Sequence, residues 1–213
     1  MAASSSGCAS DDGSLMGAGA RREFIAGPAG KIECAVDEPA GGNPRGVALV
    51  AHPHPLFGGA LGNKVVQTLA RAFVELGYTA WRPNFRGVGA SEGVHDEGRG
   101  EVDDLAAVLA HLKADRPVLA GFSFGAAVQT RLAQRVRPER MALVGVAVKH
   151  MEAMPVPPDT ILIHGEVDTT VLLADVLAWA LPQDLPVVVV PGADHFFHRR
   201  LGILRAIIQN GWK

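Results

Sequence analysis

Short apolar runs alternate with amphipathic stretches along most of the chain. From residue 22 onward, the segments REFIAG and KIECAVDE predict an antiparallel hairpin that turns at Gly27 and Pro28. Continuous apolar runs are typical of strands that are covered on both faces. Six such runs predict further strands: GVALVAH (46–52), YTAWRPNF (78–85), RPVLAGF (116–122), MALVGVAV (141–148), TILIHG (160–165) and LPVVVVPG (185–192).

The stretches between these runs predict helices. In NKVVQTLARAFVELG (63–77), apolar residues recur on one helical face and Gly77 supplies the end. The other predicted helices are EVDDLAAVLAHLKAD (101–115), FGAAVQTRLAQRV (124–136), LLADVLAWAL (172–181) and FFHRRLGILRAIIQNGW (196–212). This alternation predicts an α/β fold, with one mostly parallel, twisted sheet of seven or eight strands and helices on both faces.

Composition and charge narrow the classes of function. Hydrophobic residues make up 48% of the 213 residues and the net charge is −2, so we expect a well-filled core and no binding of nucleic acid. The apolar runs are too short to cross a bilayer, so we expect no membrane partner. Two cysteines, Cys8 and Cys34, form no disulfide framework and favour a cytoplasmic location.

The chain begins with a leader that is rich in Ser, Gly and Ala. It has neither an apolar core segment nor a positive start, so it is a poor signal peptide. We expect residues 1–21 to be a disordered or vector-derived tail and residues 22–213 to form a single domain. A homodimer is left open, because the sequence does not determine the oligomeric state.

The segment GFSFG (121–125) places a serine between a predicted strand and a predicted helix. In a tight strand-to-helix turn, Gly121 and Gly125 have no Cβ to clash with neighbouring backbone. Phe122 and Phe124 are expected to pack inward while the Ser123 hydroxyl points out. The amino end of the helix favours negative charge at this point. Ser123 is therefore the candidate nucleophile.

A serine hydroxyl is a weak nucleophile at neutral pH and needs a neighbouring base. The chain has eight histidines, and His195 stands out because it lies in the loop after the last predicted strand. In open α/β sheets the carboxyl ends of strands form the site. His198, three residues later, falls in the predicted last helix and is expected to be a partly exposed helical residue.

The base needs an acid that fixes its tautomer and stabilises its charged form. Asp168 lies three residues beyond Gly165, after the preceding strand, and is the preferred acid. Glu166 is nearer to the strand and competes for this role, although it can instead brace the turn. Asp194 would have to bend back on its own neighbour, His195.

The order Ser123, Asp168, His195 is that of the α/β-hydrolases, and from residue 22 onward the sequence resembles that family. More narrowly, it is similar to small lidless bacterial hydrolases of the dienelactone-hydrolase-like esterase group. Four motifs carry this resemblance in order: HPHPLFGGALGNK, NFRGVGAS, GFSFG and DHFFH. The resemblance implies an eight-stranded hydrolase sheet and ester-cleaving chemistry, without naming a substrate.

Acyl transfer also needs two backbone N–H groups that hold the oxyanion. Phe124, just after the nucleophile, is expected to supply one of them. The loop after the 46–52 strand supplies the other, and between Pro53 and Pro55 His54 alone has an N–H. Leu56 is the alternative. The family resemblance also selects His54.

The pocket is predicted from weaker features. Arg86, in NFRGVGAS, either grips an anionic substrate or, as we favour, ties loop carbonyls together; Ser91 and His95 are expected on the same rim. About a dozen residues separate the strands at 141–148 and 160–165, too few for a large lid, so we expect an open site. The residues predicted to line the pocket are Leu56, Phe57, Arg86, Met151 and Met154.

Two rival interpretations come from other classes. His52 and His54 have the spacing of a binuclear zinc motif, but Leu56 and Phe57 stand where further ligands are needed. We therefore predict neither a metal nor another cofactor. A non-catalytic binding protein on a hydrolase scaffold is the second rival, and a complete Ser-His-Asp set argues against it.

The sequence therefore predicts a serine hydrolase that forms an acyl-enzyme intermediate. The predicted partner is a small-molecule carboxylic ester with a small or soluble acyl group. Thioesterase, lactonase and amidase activities remain alternatives on the same three residues.

Overall fold

The computed structural model describes residues 19–149 and 151–212, and its strands form one sheet. The strands are β1 (Arg21–Gly27), β2 (Gly30–Asp37), β3 (Gly46–Ala51), β4 (Tyr78–Pro83), β5 (Val118–Phe122), β6 (Met141–Val144), β7 (Ile161–Gly165) and β8 (Val187–Val190). Their order across the sheet is β1-β2-β4-β3-β5-β6-β7-β8. The predicted strand number is confirmed.

Pairing is antiparallel at one edge and parallel elsewhere. β1 and β2 form the predicted hairpin, in which Gly27 lies opposite Gly30, and β2 pairs antiparallel with β4. From β4 through β3, β5, β6 and β7 to β8, every pair is parallel. The carboxyl ends of these parallel strands therefore share one edge of the sheet, where ligands bind in such folds.

Helices cover both faces of the sheet, as predicted. They are α1 (Lys64–Glu75), α2 (Arg99–Leu112), α3 (Phe124–Leu132), α4 (Leu173–Ala180) and α5 (Leu201–Gly211). One apolar cluster joins the sheet to α2, α3 and the end of α4. A second cluster joins the other face to α1 and α5. Apart from the two elements described next, the predicted bounds differ from these by at most four residues.

The strand predicted over 141–148 is wrong beyond Val144. Gly145 has φ +53°, a left-handed conformation that turns the chain out of the sheet. Its N–H still donates to Ile163 O at 2.9 Å, whereas Ala147 N donates to Ser123 O at 3.3 Å. The apolar sequence continues past this point because Val146 is buried in a turn and not in a strand.

The last helix begins at Leu201 and not at residue 196, so the prediction that His198 is helical is wrong. Phe197 and Arg199 have φ values of +54° and +60°, which are incompatible with an α-helix. Asp194 stabilises this turn, because its Oδ1 accepts a hydrogen bond from His198 N at 3.0 Å. Phe197 is fully buried, which explains why its segment looks like part of an amphipathic helix.

Residues 1–18 of the predicted leader, Cys8 included, lie outside the described residues. Arg21, which was assigned to the leader, already begins β1. Cys34 is a free, buried thiol. Within the described part of the chain, no helix is both long and apolar enough to cross a membrane.

Two glycines allow α3 to lie directly against the sheet. A Cβ on Gly121 would stand 2.7 Å from Ala126 N, and a Cβ on Gly125 would stand 2.3 Å from His52 O. Cβ atoms in proteins essentially never come this close to a nonbonded atom, and both neighbours are backbone atoms that cannot easily move. The side chain of Gln129 reinforces this close packing, because its Nε2 donates at 2.9 Å to carbonyl oxygens on both β3 and β5.

We predict that Gly125→Ala lowers the free energy of unfolding by about 1–3 kcal/mol, because the added methyl group pushes α3 off β3. Gly202→Ala is the matched control, since a Cβ at this α5 position meets nothing within 4 Å. It should stay within about 1 kcal/mol of the wild type, on the stabilising side. Urea unfolding followed by circular dichroism measures both. Equal stability of the two variants would contradict the close-packing argument.

Candidate active site

Ser123 occupies the turn between β5 and α3 in a strained conformation. Its φ and ψ are +56° and −118°, values that a residue with a side chain rarely adopts. The turn is held by the Ser123 N–H, which donates to Val144 O at 2.9 Å on the neighbouring strand. The phenylalanines on either side are both buried, as predicted. The strain indicates a functional position, because the chain elsewhere uses glycine for most left-handed turns.

His195 reaches Ser123 from the loop after β8. Its Nε2 lies 3.1 Å from Ser123 Oγ, and its Nδ1 lies 2.6 Å from Asp168 Oδ2. The imidazole is 5% exposed and packs on the rings of Phe122 and Phe196 at centroid distances of 4.8 and 5.2 Å. Since Asp168 accepts from Nδ1–H, Nε2 has the lone pair that can accept the Ser123 proton.

Asp168 is held as a carboxylate by the loop after β7. Its Oδ1 accepts from the N–H groups of Thr170 and Val171, both at 2.8 Å, while Oδ2 faces His195. Burial would raise the pKa of this carboxyl group. The hydrogen bonds from His195, Val171 and Thr170 outweigh that effect and hold the pKa of Asp168 below its ordinary value.

His164 lies behind Asp168 and is not among the site residues that the sequence predicts. The residue is fully buried on β7, and its Nε2 is 2.9 Å from Val171 O and 3.6 Å from Asp168 Oδ2. Burial lowers the pKa of His164, which favours a neutral ring that donates to the Val171 carbonyl. His164 thus braces the loop whose N–H groups hold Asp168. Its position inside an apolar strand run gave no indication of this role.

The competing acids are engaged elsewhere. Glu166 Oε2 accepts from Gly192 N at 2.8 Å, so this exposed residue braces the turn after β8. Asp194 Oδ2 lies 2.6 Å from His198 Nδ1, on the surface. Neither carboxylate therefore faces His195 in the way that Asp168 does.

The two candidate oxyanion donors belong to residues that line the same cavity as Ser123. Phe124 is the first residue of α3, and the first N–H groups of a helix have no intrahelical partner. His54 immediately precedes a 3-10 turn (Pro55–Phe57), and its ring lies 4.8 Å from the Phe124 ring. Its carbonyl accepts from Phe57 N and Gly59 N at 3.1 and 3.0 Å, which closes the loop tightly.

His52 anchors that loop as a neutral residue and not as a metal ligand. Its Nε2 accepts from Phe85 N at 2.9 Å, so Nδ1 carries the proton that faces Pro53 O at 2.7 Å. Both ring nitrogens are thus engaged with backbone. Within the described ranges, no group of three or more His, Cys, Asp or Glu residues could hold a metal ion.

A cavity of about 760 Å³ opens above Ser123. Three of the predicted residues line it: Leu56 and Phe57 on an exposed lip, and Met151 in the wall. His95, expected on the rim, lies in the wall as well. The other lining residues are His54, Glu97, Arg99, Phe124, Arg131, Ala147, Glu152, Thr170 and Val171.

The prediction that they line the pocket is wrong for two residues, Arg86 and Met154. Arg86 points away from the cavity into α2, where Nε and Nη2 contact the Asp104 carboxylate at 2.7 and 2.8 Å and Nη2 also contacts Gly100 O at 2.7 Å. It therefore ties the loop down, which is the role that we favoured. Met154 does not line the cavity; its N–H donates to Thr130 Oγ1 at 3.0 Å.

Ser91, the other expected rim residue, is also structural. Its Oγ donates to Asn84 O at 2.8 Å and accepts from Glu33 N at 2.9 Å. The NFRGVGAS motif therefore forms a fixed loop beside the cavity, of which neither Ser91 nor Arg86 is a lining residue.

An open sheet of this order, with a serine on the β5–α3 turn and His and Asp on later loops, defines the class of α/β-hydrolases. A family model described as alpha/beta hydrolase fold matches residues 56–155. A lidless α/β serine hydrolase from Xanthomonas campestris is 37% identical, with a TM-score of 0.84 over 92% of this chain and 94% of that one. The chain belongs to the α/β-hydrolase family.

The chain is similar to two further proteins over most of its length. An α/β serine hydrolase homologue from Coxiella burnetii is 38% identical, with a TM-score of 0.83 over 91% of this chain and 97% of that one. A Rickettsia prowazekii protein is 35% identical over 82% of this chain and 81% of its own. The Coxiella relative supports the same family assignment as the Xanthomonas hydrolase.

Burial lowers the pKa of His52 from 6.5 to about 4, and the hydrogen bond to Pro53 O offsets only part of that shift. Between these pH values the unfolded chain binds a proton that the native chain does not bind. We therefore predict that the free energy of unfolding falls as the pH drops from 6.5 to 4, with about 3 kcal/mol arising from His52.

Urea unfolding at several pH values measures this effect. His52→Gln, which keeps an acceptor for Phe85 N, should lose correspondingly less stability over this range. His111→Gln, at an exposed position of α2, should follow the wild type. Parallel pH profiles for wild type and His52→Gln would contradict the assignment.

Proposed function

We propose that this protein is a serine hydrolase that cleaves carboxylic esters of small or soluble acyl groups. The observation that carries the proposal is the chain of contacts from Ser123 Oγ, which lines the cavity, through His195 to Asp168, at 3.1 and 2.6 Å. Nucleophile, base and orienting acid in this order are the elements of nucleophilic acyl transfer.

In the first half of the reaction, His195 Nε2 removes the proton from Ser123 Oγ as this oxygen attacks the acyl carbon. The new C–O bond pushes the carbonyl electron pair onto oxygen and gives a tetrahedral oxyanion. Asp168 stabilises the imidazolium that forms, and its pKa below the ordinary value keeps it ionised at neutral pH. The 2.6 Å contact keeps the ring in the required orientation.

The N–H groups of His54 and Phe124 are proposed to hold the oxyanion. One such donor contributes about a hundredfold to a thousandfold in rate. The amino end of α3 adds the positive end of its dipole at the same place. Because His52 and the close-packed Gly125 fix the two backbones, the donors are in place before the charge develops.

In the second half, His195 donates its proton to the leaving alcohol as the C–O bond of the ester breaks. Water then repeats the sequence on the acyl-enzyme: His195 removes a proton from water, the acid is released and Ser123 recovers its proton. The protein supplies every group that these steps need, so the proposal includes no metal or other cofactor.

The cavity favours small or polar acyl groups over long alkyl chains. Its lining mixes the apolar Leu56 and Met151 with charged side chains such as Arg131 and Glu152. A long alkyl chain would have to desolvate those charges, which is costly. The segment that replaces a lid is tied down, since Arg131 Nε donates to Glu152 O at 3.2 Å and Trp179 Nε1 donates to Ala153 O at 3.1 Å.

Ser123→Ala removes the nucleophile. We expect it to reduce kcat/KM for p-nitrophenyl acetate by at least about a thousandfold and to abolish labelling by a fluorophosphonate probe. The melting temperature should not fall, because alanine fits the same space. A wild-type protein that is folded but neither labelled nor active would favour a non-catalytic binding protein. A Ser123→Ala variant that retains most activity would refute the nucleophile assignment.

Asp168→Asn keeps the shape of the acid but removes the charge that stabilises the imidazolium. We expect a loss of about three to four orders of magnitude in kcat for p-nitrophenyl acetate. Glu166→Gln is the matched control on the same loop, and it should change kcat by less than about threefold, since Glu166 faces Gly192 N. The reverse pattern would identify Glu166 as the acid.

A further inference from the structure

A second histidine–carboxylate pair lines the cavity, and the proposed mechanism does not use it. His95 Nδ1 lies 2.8 Å from Glu101 Oε1, and His95 is part of the same cavity wall as Ser123. Glu101 is fully buried in the first turn of α2. Its two oxygens also accept from the N–H groups of Asp96 and Gly98, at 2.9 and 2.8 Å.

This arrangement has the same parts as the pair at Ser123. Asp168 likewise accepts hydrogen bonds from two backbone N–H groups and from one imidazole Nδ1–H. In both pairs, backbone N–H groups hold a buried carboxylate, and the same carboxylate faces a histidine. A buried carboxylate is costly unless it is paired, so the position of Glu101 constrains the ring of His95.

The neighbouring carboxylate determines which nitrogen of His95 is available to a ligand. Two lone pairs would repel at 2.8 Å, so Nδ1 carries a proton, although the approach to Glu101 is too oblique for a directed hydrogen bond. Nε2 lies on the other edge of the ring. In the neutral imidazole it has a lone pair and accepts a hydrogen bond.

The position of His95 indicates which part of a substrate it would meet. Its ring lies 4.9 Å from the His54 ring and 5.5 Å from the Phe124 ring, the side chains of the two residues that are proposed as oxyanion donors. The His195 ring packs instead on Phe122, at 4.8 Å. Because His195 must protonate the leaving alcohol, we expect that alcohol to lie beside His195 and the acyl substituent to extend along the part of the cavity wall that contains His95.

We propose that His95 is a specificity-determining residue whose Nε2 accepts a hydrogen bond from a hydroxyl group on the acyl chain. The substrates are then esters of short hydroxy acids. An anionic acyl group is less suitable here, because the buried Glu101 carboxylate lies directly behind the ring. This inference rests on the proposed esterase function and names the substrate class of the same site.

The test compares kcat/KM for p-nitrophenyl butyrate with that for the 2- and 3-hydroxybutyrate esters. The ratio of hydroxylated to plain ester cancels any general loss of activity or folding. His95→Phe keeps an aromatic ring beside Phe124 but cannot accept a hydrogen bond. For at least one isomer, we expect this variant to reduce the ratio about threefold to tenfold, the usual net value of one hydrogen bond.

Two further variants separate recognition from structure. His95→Gln places an amide oxygen near the position of Nε2 and should restore part of the ratio. His111→Phe makes the same substitution at an exposed position of α2 and should leave the ratio at the wild-type value. Melting temperatures accompany all three variants.

An unchanged ratio in His95→Phe, for both isomers, would overturn the inference while hydrolysis of the plain ester upheld the proposed function. A ratio that is equally low in His95→Phe and His95→Gln would also overturn it, because the loss would then follow shape and not the acceptor. Failure of the proposed function would look different: the wild type would hydrolyse no ester faster than Ser123→Ala, and both proposals would fall.

Discussion

The candidate site depends on one backbone constraint, the left-handed conformation of Ser123 at the end of β5. A side chain makes this conformation unfavourable by about 1–3 kcal/mol, so surrounding contacts must stabilise it. The Ser123 N–H donates a hydrogen bond to β6, and the Gln129 side chain on α3 donates hydrogen bonds to β3 and β5. Because α3 lies so close to the sheet, the turn cannot relax without moving a whole helix. The close packing of α3 on the sheet therefore fixes the direction of the Ser123 hydroxyl group.

The buried titratable side chains near this turn are of two kinds, neutral histidines and carboxylates. His52 and His164 are buried against backbone carbonyls and stay neutral, so they hold loops without adding charge beside the nucleophile. Asp168 and Glu101, in contrast, are carboxylates whose oxygens accept backbone N–H groups. Each carboxylate can therefore be buried at low cost and can orient an imidazole. In our proposals, the imidazole beside Asp168 is the proton acceptor and the imidazole beside Glu101 is a hydrogen-bond acceptor for the substrate.

The sequence predicts the sheet and the positions of Ser123, Asp168 and His195 for a simple reason. Apolar runs mark parallel strands, and polar residues just after those runs converge at one edge of the sheet. The structure brings the side chains of these three residues together. Side-chain partners are less predictable: Asp104, which binds Arg86, lies 18 residues away on another element. A loop motif does not identify a partner of that kind, so the sequence favours a structural role for Arg86 without naming Asp104 and leaves a place in the pocket open.

The apolar pattern also mispredicts the bounds of elements where buried residues lie outside helices and strands. Val146 and Phe197 are buried in turns that form after Gly145 and around Asp194. Both segments lie beside His195: a Cβ on Gly145 would be in van der Waals contact with the His195 ring at 3.5 Å, and the turn closed by Asp194 contains His195. An extended β6 or an earlier α5 would alter the space in which that ring lies. The two predicted elements with wrong bounds, 141–148 and 196–212, are therefore both next to His195.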